Sequence, residues 1–598
     1  MGEVLKRSQV PVSDTWNLND LFHTQQDWET AYAQVDANVA RLGGYQGRLG
    51  ERAALKEALD LLTDTEVLLG RVYSYAARNL DVDNANSEYQ ALSARAQSLY
   101  VRFAEKISFI QPELLAQSEE YLAAMRDDAS MSAYRMMLDN LARSRAHTLS
   151  AEMEQLVAMT GEMGNSPDNI YSMLNTLDMK FPAVKNEAGE KVALTHAGFI
   201  PLMKSHKKKV RRAAFEGVYG TYQKFKNTFP AIYQASVQSD VFYARAGKFA
   251  SSLEAKLFPD NVPLSLYDNL IAAVHRHVGG LNRFVSLNAR LNGIKHPSMI
   301  DVYVPPRLGF DISLDFRDAY ALVVDCLRPL GEDYQAVLRQ ALDERWIDPF
   351  ENDGKRSGAY SADAYGVHPF VLMNYKPDLN HLLTIAHEMG HAMHSYLSNA
   401  RQPAAMADYS LFVAEVASTV NEVLVLLDLM QRHPEGEAFL LYTLLDSFRN
   451  TLFRQTLFAE FERESHRMAE AGEPLTAQSL NAVYARLNAE YYTSLEQPEL
   501  LAYEWMRIPH FYRSFYVYKY ATGFSAAMAI ATKIRQEGAP MVKKYKDFLS
   551  AGGSLYPIDA LKLADVDMST GEPVERALQE FETLLGRYEK IAKKQSAD

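Results

Sequence analysis

Over most of the chain, apolar residues recur every three or four positions, the period of a helix. From Leu55 to Ala77, Leu, Ala, Val and Tyr keep that spacing, with Lys, Glu, Asp and Arg between them. The same pattern runs through Tyr89–Ile107, Pro112–Met125 and Ser132–His147, and Pro112 suits a first helical turn. Residues 1 to about 175 therefore read as predominantly helical. The period changes between Thr176 and Leu194. There, two short β-type runs flank Asn186-Glu187-Ala188-Gly189, the pattern of a β-hairpin with a longer loop. Helices resume near Leu202. A second irregular stretch runs from Pro297 to Tyr375, with strands expected at Met299–Val304, Gly358–Ser361 and Pro369–Tyr375. From Leu379 to about Leu585 the helical period returns. The pattern predicts a mainly α protein with a little sheet. Its expected divisions are a helical domain over 1–195, a second domain over 196–590 and a polar, disordered tail over 591–598.

Composition narrows the function. A chain of 598 residues is large for one core. Its net charge of −13 provides no basic surface for nucleic acid. The basic run Lys207-Lys208-Lys209, Arg211 and Arg212 reads as a solvated helix face. Cys326 is the only cysteine, which excludes an intrachain disulfide and fits a reducing cytoplasm. Its apolar neighbours place it in the core rather than at a nucleophilic site. No apolar run is long enough to cross a bilayer, and the first residues lack the apolar core of a signal peptide. A soluble cytoplasmic protein is expected, of undetermined oligomeric state.

The chemistry centres on His387-Glu388-Met389-Gly390-His391. Asp378 is a suitable N-cap, and Leu379, Leu382, Leu383, Ala386, Met393 and Leu397 form an apolar stripe, so the segment reads as a helix. Two imidazoles four residues apart share one helix face and can bind one Zn²⁺. The carboxylate of Glu388 can then act as general base toward water on the metal. With 15 His in the chain, this pattern would arise by accident only about 0.03 times.

A catalytic zinc needs a third protein ligand and an open position. His394 lies about 10.5 Å along the helix from His387, too far for three rings of one straight helix to converge. The spacing of the metzincins needs Gly at 394 and His at 397, where His394 and Leu397 stand. Asp408 falls in the Pro403–Ser410 loop, a weakly constrained position. Glu415 lies on a second helical stretch, Leu411–Glu422, 24 residues past His391 (415 − 391). A helix–turn–helix return of that length can bring it to the pair. Glu415 is chosen as third ligand, with Glu422, seven residues further on the same face, as support for a ligand.

Several segments together resemble the thimet oligopeptidase-like zinc metallopeptidases, and within them the oligoendopeptidase F family. They are Trp16-Asn17-Leu18-Asn19-Asp20-Leu21-Phe22, Gly358-Ala359-Tyr360-Ser361, His368–Tyr375, His387–His394, Phe412–Glu422, Arg454–Glu462 and Ile508-Pro509-His510-Phe511-Tyr512. The resemblance implies a two-lobed helical shell around a deep channel, with a small sheet beside the HExxH helix. It implies one zinc per chain, with the third ligand at Glu415, and internal cleavage of short peptides. The domain over 1–195 would then cover the channel. The resemblance also gives roles to the aromatic cluster Trp505–Tyr520: His510, and next Tyr516 and Tyr520, would stabilise the charge that builds on the scissile carbonyl. Lys519 stands where Gln is more common in that family. An edge strand at Gly358, Ala359 and Tyr360 can pair with an extended peptide through its main chain, which suits broad specificity.

The function expected is a zinc metalloendopeptidase for oligopeptides. A zinc carboxypeptidase or dipeptidyl-carboxypeptidase is the nearest rival and would need a cationic anchor for the substrate C-terminus. A non-catalytic peptide-binding scaffold is a third reading. Glu388 argues against it, because a structural zinc needs no base beside it.

Overall fold

The computed structural model describes residues 4–595. The chain is mainly helical. The described residues hold five short strands: β1 (Ala183–Lys185), β2 (Lys191–Ala193), β3 (Ile347–Asp348), β4 (Tyr360–Ala362) and β5 (Phe370–Leu372). β1 and β2 form the expected antiparallel hairpin, pairing Val184 with Val192. The other three make a sheet in the order β3-β5-β4, parallel between β3 and β5 and antiparallel between β4 and β5.

The chain divides into two compact units. One comprises the chain up to Ala146, Asp311–Leu429 and Ala527–Val566; the other comprises His147–Phe310, Met430–Ala526 and the chain from Asp567 onward. The expected long helices are present in the first unit. Arg52–Val82 is one helix, buried along Leu55, Leu59, Leu62, Leu69 and Val72. Ser87–Ile107 is another, started by the Asn86 side chain on the amides of Glu88 and Tyr89. The stretch predicted as one helix over Pro112–Met125 is two, Ile110–Leu115 and Glu119–Asp127. Ser118 breaks it by capping the second on the Tyr121 amide.

The three-stranded sheet belongs to the first unit, and the N-terminal motif explains how it is held. Trp16 is buried against Tyr360 and Phe370, at 6.5 and 6.2 Å between ring centroids. With Leu21, Val82, Ala364 and Leu372 these side chains form one apolar cluster. The Asn17 amide donates to the Arg345 carbonyl at 2.8 Å. Asp348, fully buried on β3, is paired by Arg7 at 2.5 Å and Lys355 at 2.7 Å, as a buried carboxylate requires. β5 lies in the middle and its three residues are buried, so β4 forms an edge.

Three further expectations differ from the structure. Met299–Val304 is not a strand: Met299–Asp301 is a short 3₁₀ turn, in which Asp301 accepts from the Ser298 amide at 3.0 Å. The edge strand starts at Tyr360, so Gly358 and Ala359 lie in the turn before it. Gly358 sits at φ +88° and its carbonyl accepts from the Asn374 amide group at 2.9 Å, which turns the chain before pairing begins. The last helix, Glu572–Gln595, continues five residues into the stretch expected to be a polar tail (591–595); residues 596–598 lie outside the described residues.

In the second unit, the helix Leu264–Leu291 packs on Arg454–Glu470 and on Glu572–Gln595. Its interior includes a buried ion pair. Glu504 accepts from Arg454 at 2.7 Å, from the Tyr219 hydroxyl at 2.8 Å and from the Tyr484 hydroxyl at 2.7 Å. These partners satisfy the lone pairs that burial strips of water.

Candidate metal centre

The HExxH segment lies on a helix of 23 residues, Leu379–Arg401. Asp378 starts it, accepting from the His381 amide at 2.9 Å. Leu382, Ile385, Ala386, Met389 and Met393 bury one face and leave His387 and His391 on a half-buried face. The chain turns through a short 3₁₀ segment at Ala404–Met406 and returns as the helix Ala414–Arg432.

Gly390 sets how closely these two helices approach. A Cβ there would lie 2.5 Å from Ser418 Cα and 2.7 Å from the Ala417 carbonyl oxygen. Asn421 adds a polar clamp, donating to the Ala386 carbonyl at 3.1 Å while accepting from the Tyr334 hydroxyl at 3.1 Å. The close approach carries Glu415 to the histidine pair.

Three ligand atoms converge. His387 Nε2 and His391 Nε2 are 3.1 Å apart, and Glu415 Oε2 is 3.4 Å from the first and 3.5 Å from the second. A tetrahedral zinc with bonds of about 2.1 Å has ligand–ligand edges of about 3.4 Å. The three atoms therefore match one face of that tetrahedron, and the donor set of two imidazoles and a carboxylate suits zinc. All three side chains are partly open to solvent, so a fourth position is reachable. His387 Nδ1 lies 2.5 Å from Glu422 Oε1. That bond takes the ring's proton on Nδ1 and leaves the Nε2 lone pair facing the cluster.

The surrounding charges agree with a cation site. Burial alone would lower the His387 pKa, but the hydrogen bond and charge of Glu422, with Glu388 and Glu415, push it up to about 9. Burial works to raise the Glu415 carboxyl; His391, by hydrogen bond and charge, and then His387 hold it at about 2. Burial raises Glu388 above the usual carboxylate range, against the pull of His387 and His391. Glu388 itself is only 6% exposed.

The remaining candidates separate. His394 is buried and stacks on Tyr409 at 3.6 Å, with the ring planes 5° apart. Asp408 lines a separate cavity of about 720 Å³ with Glu66 and Asp363. His510, Tyr516 and Tyr520 form a ring cluster of their own in the second unit. Tyr516 and Tyr520 meet at 5.3 Å and 87°, and His510 lies 6.2 and 5.9 Å from them. Tyr516 precedes the helix Tyr518–Glu537 rather than sharing a helical face with Tyr520. Tyr518 is buried against Tyr267, and Lys519 pairs with Asp260 at 2.7 Å. Burial, then the charge of Arg513, lowers the His510 pKa.

Sequence reading missed Gly390, Ser418, Asn421 and Tyr334 as parts of the site. A glycine inside an otherwise helical pattern was the available signal for the first; the others are ordinary helix residues whose partners are distant in sequence.

Burial of His394 also sets an acid limit. Loss of solvent, then the charge of His391, lowers its pKa to about 3, from 6.5 in the unfolded chain. Between those values the unfolded chain binds the extra proton, so stability is complete above pH 6.5 and falls as pH drops toward 3. The loss is about 2 kcal/mol between pH 6.5 and 5. Replacing His394 with Phe, which keeps the stack on Tyr409, is expected to flatten Tm against pH over that interval. Parallel Tm–pH curves for the two proteins would contradict this.

Comparison with known proteins agrees with the geometry. Residues 201–580 match the model of Peptidase family M3, and residues 113–181 match that of Oligopeptidase F. The chain is 40% identical over 594 residues to Oligopeptidase PepF of Bacillus subtilis, covering 98% of this chain and 88% of that protein. It is 36% identical over 600 residues to an Oligoendopeptidase F homolog of Lactococcus lactis, covering 98% and 99%. The crystal structure of oligoendopeptidase-F from Enterococcus faecium superposes with a TM-score of 0.74 at 32% identity, covering 95% of this chain and 99% of that one. The chain belongs to peptidase family M3, and within it is a metalloendopeptidase of the oligoendopeptidase F type.

Proposed function

We propose that this protein is a zinc-dependent endopeptidase that hydrolyses internal bonds of short oligopeptides, with one zinc per chain held by His387, His391 and Glu415. The observation that carries the reading is the triangle of 3.1, 3.4 and 3.5 Å between their ligand atoms. When bound there, zinc supplies a Lewis acid that polarises the scissile carbonyl and acidifies a water molecule. Glu388 takes the proton of the attacking water. Its burial raises its affinity for that proton toward the working pH. Glu422 holds the tautomer and orientation of His387.

Attack places negative charge on the carbonyl oxygen. His510, with Tyr516 and Tyr520, is assigned to donate hydrogen bonds to it. The lowered pKa of His510 keeps the ring neutral near pH 7, with one N–H to donate. β4 offers an open edge over Tyr360–Ala362, with Gly358 and Ala359 leading into it, for main-chain pairing with an extended peptide. The Tyr360 side chain is tied back by its hydroxyl on Asp81 at 2.6 Å, so side chains on this strand need not read the substrate. Among the described residues no helix is long and apolar enough to cross a membrane. The single cysteine fits work in the reducing cytoplasm.

The test is metal content. His391→Ala removes one corner of the triangle and is expected to bind less than about a tenth of the wild-type zinc after dialysis. Stoichiometric zinc in that variant would overturn the ligand set. Residues 1–195 are read as a covering domain that admits only extended chains. A short peptide is therefore expected to be cleaved at least about 10²-fold faster than the same sequence inside a stably folded protein. Equal rates would remove the covering role.

A further inference from the structure

The loop that carries His510 and Tyr516 is bent against the preference of its own residues. Phe515 sits at φ +58°, in the left-handed region that bulky side chains avoid. Neighbouring groups hold it there. The Phe515 amide donates to Glu462 Oε1 at 2.9 Å, and the Ser514 hydroxyl donates to Asp240 Oδ2 at 2.5 Å. The Phe515 ring is buried, 4.4 Å from the His466 ring and 6.1 Å from Tyr267. Glu462 and His466 stand one turn apart on the helix Arg454–Glu470, so a single helix face grips the bend. His466 completes the grip: Nδ1 is 2.8 Å from the Glu462 carbonyl and Nε2 is 3.3 Å from Asp240 Oδ2. Lys256 pairs with the other Asp240 oxygen at 2.8 Å.

The two acids of this group differ. Burial pushes the Glu462 carboxyl well up, with the Phe515 amide a smaller opposing influence. It is fully buried, and among the described residues its Oε2 has no hydrogen-bond partner. Burial of Asp240 is outweighed by His466 and Lys256, which hold it at about 2. One acid thus accepts from a backbone amide where burial favours its neutral form, and the other is held as a charged anchor.

We propose that Glu462 and Asp240 are positioning residues for catalysis. They latch the 513–516 bend so that Tyr516 and the chain behind it hold the His510 ring in its working orientation. Strain at Phe515 has a use in this arrangement. A left-handed residue reverses the chain between the Pro509–Tyr512 turn and the helix that begins at Tyr518. That reversal brings Tyr516 within 6.2 Å of His510 with the rings 11° from parallel. Without the latch, Phe515 relaxes to negative φ and Tyr516 leaves. This inference rests on the role proposed for His510.

The experiment combines amide hydrogen exchange with a double-mutant cycle in the zinc-loaded enzyme. Glu462→Leu leaves the Phe515 amide without an acceptor; Glu462→Gln keeps a neutral acceptor of the same shape. Exchange over 510–520 is expected to rise at least about 10-fold in Glu462→Leu and to stay at the wild-type level in Glu462→Gln. Glu462→Leu is expected to lower kcat roughly 10- to 100-fold with KM unchanged, while Glu462→Gln stays near wild type. His510→Ala alone is expected to lose about 10²–10³ in kcat. Adding Glu462→Leu to it should cost several-fold less than the same change costs in the wild-type background, because the larger part of the latch's effect passes through the missing ring and only the donation by Tyr516 itself is left to lose. If Glu462→Leu does not fold, Ser514→Ala removes only the hydroxyl on Asp240 and is read the same way, with a smaller loss. Unchanged exchange in the folded variant, or a Gln variant as impaired as Leu, overturns the latch. Losses that multiply in the His510→Ala background overturn its action through His510. Wild-type kcat in His510→Ala would instead remove the role of His510, with the exchange data still deciding the latch.

Discussion

Glu388→Gln is expected to keep a full complement of zinc and to lose about 10²–10⁴ in kcat/KM. The substitution preserves shape and removes only the ability to take a proton. Glu388 is not among the three atoms of the ligand triangle, which are His387 Nε2, His391 Nε2 and Glu415 Oε2, so binding of the metal has no reason to fail. Stability moves the other way from activity. Burial disfavours the charged form of Glu388, and a neutral amide relieves that penalty, so Tm is expected to hold or rise. Metal analysis, peptide turnover and a thermal melt on one preparation check all three. A metal-loaded Gln variant with near wild-type turnover would mean that another group is the base.

Gly390→Ala is the second large effect, and it acts through packing. The added methyl meets backbone on the return helix: Ser418 Cα at 2.5 Å, with the Ala417 carbonyl oxygen and the Ser418 amide nitrogen both at 2.7 Å. Backbone has no rotamer by which to move aside, so the two helices must separate until the contact reaches at least about 3.4 Å. Overpacking of this kind costs about 1–3 kcal/mol or more. It also displaces Glu415, three residues before Ser418, from the histidine pair. Zinc affinity is expected to fall about 10- to 100-fold. Gly586→Ala is the control: it lies in a helix with nothing within 4 Å of the new Cβ, where Ala is favoured over Gly. Chelator competition on the two variants separates the effects. Wild-type zinc affinity in Gly390→Ala would show that the helix spacing is not what sets the triangle.

The long helices and both ligand helices were legible because an apolar stripe at helical period is local information. So was the helix start at Asp378, which needs only the capping side chain and its own first turn. The hairpin at Ala183–Ala193 was legible from its change of period. Glu415 could be chosen because the length of the return constrains it. What failed was set by partners far away in the chain. Met299–Val304 has the composition of a strand, but pairing stops at one bridge, where the Met299 amide donates to the Glu496 carbonyl at 3.0 Å; Asp301 then caps a 3₁₀ turn and binds Arg211, 90 residues away. The start of β4 moved from Gly358 to Tyr360 because Asn374 captures the Gly358 carbonyl. The importance of Gly390 depends on Ser418, which the sequence does not place. Likewise, Trp16 identified a family pattern in the sequence, but its packing on Tyr360 and Phe370 under the edge strand needed the fold.

The central claim is metal-dependent cleavage of internal bonds. It is tested most directly by mass spectrometry of products from a peptide blocked at both termini, with enzyme untreated, stripped by chelator, and reloaded with one equivalent of zinc. The expected result is internal fragments from the untreated enzyme, none after stripping, and recovery on reloading. Cleavage that survives complete removal of metal would contradict the account. So would an intact blocked peptide beside an unblocked one shortened only from its C-terminus.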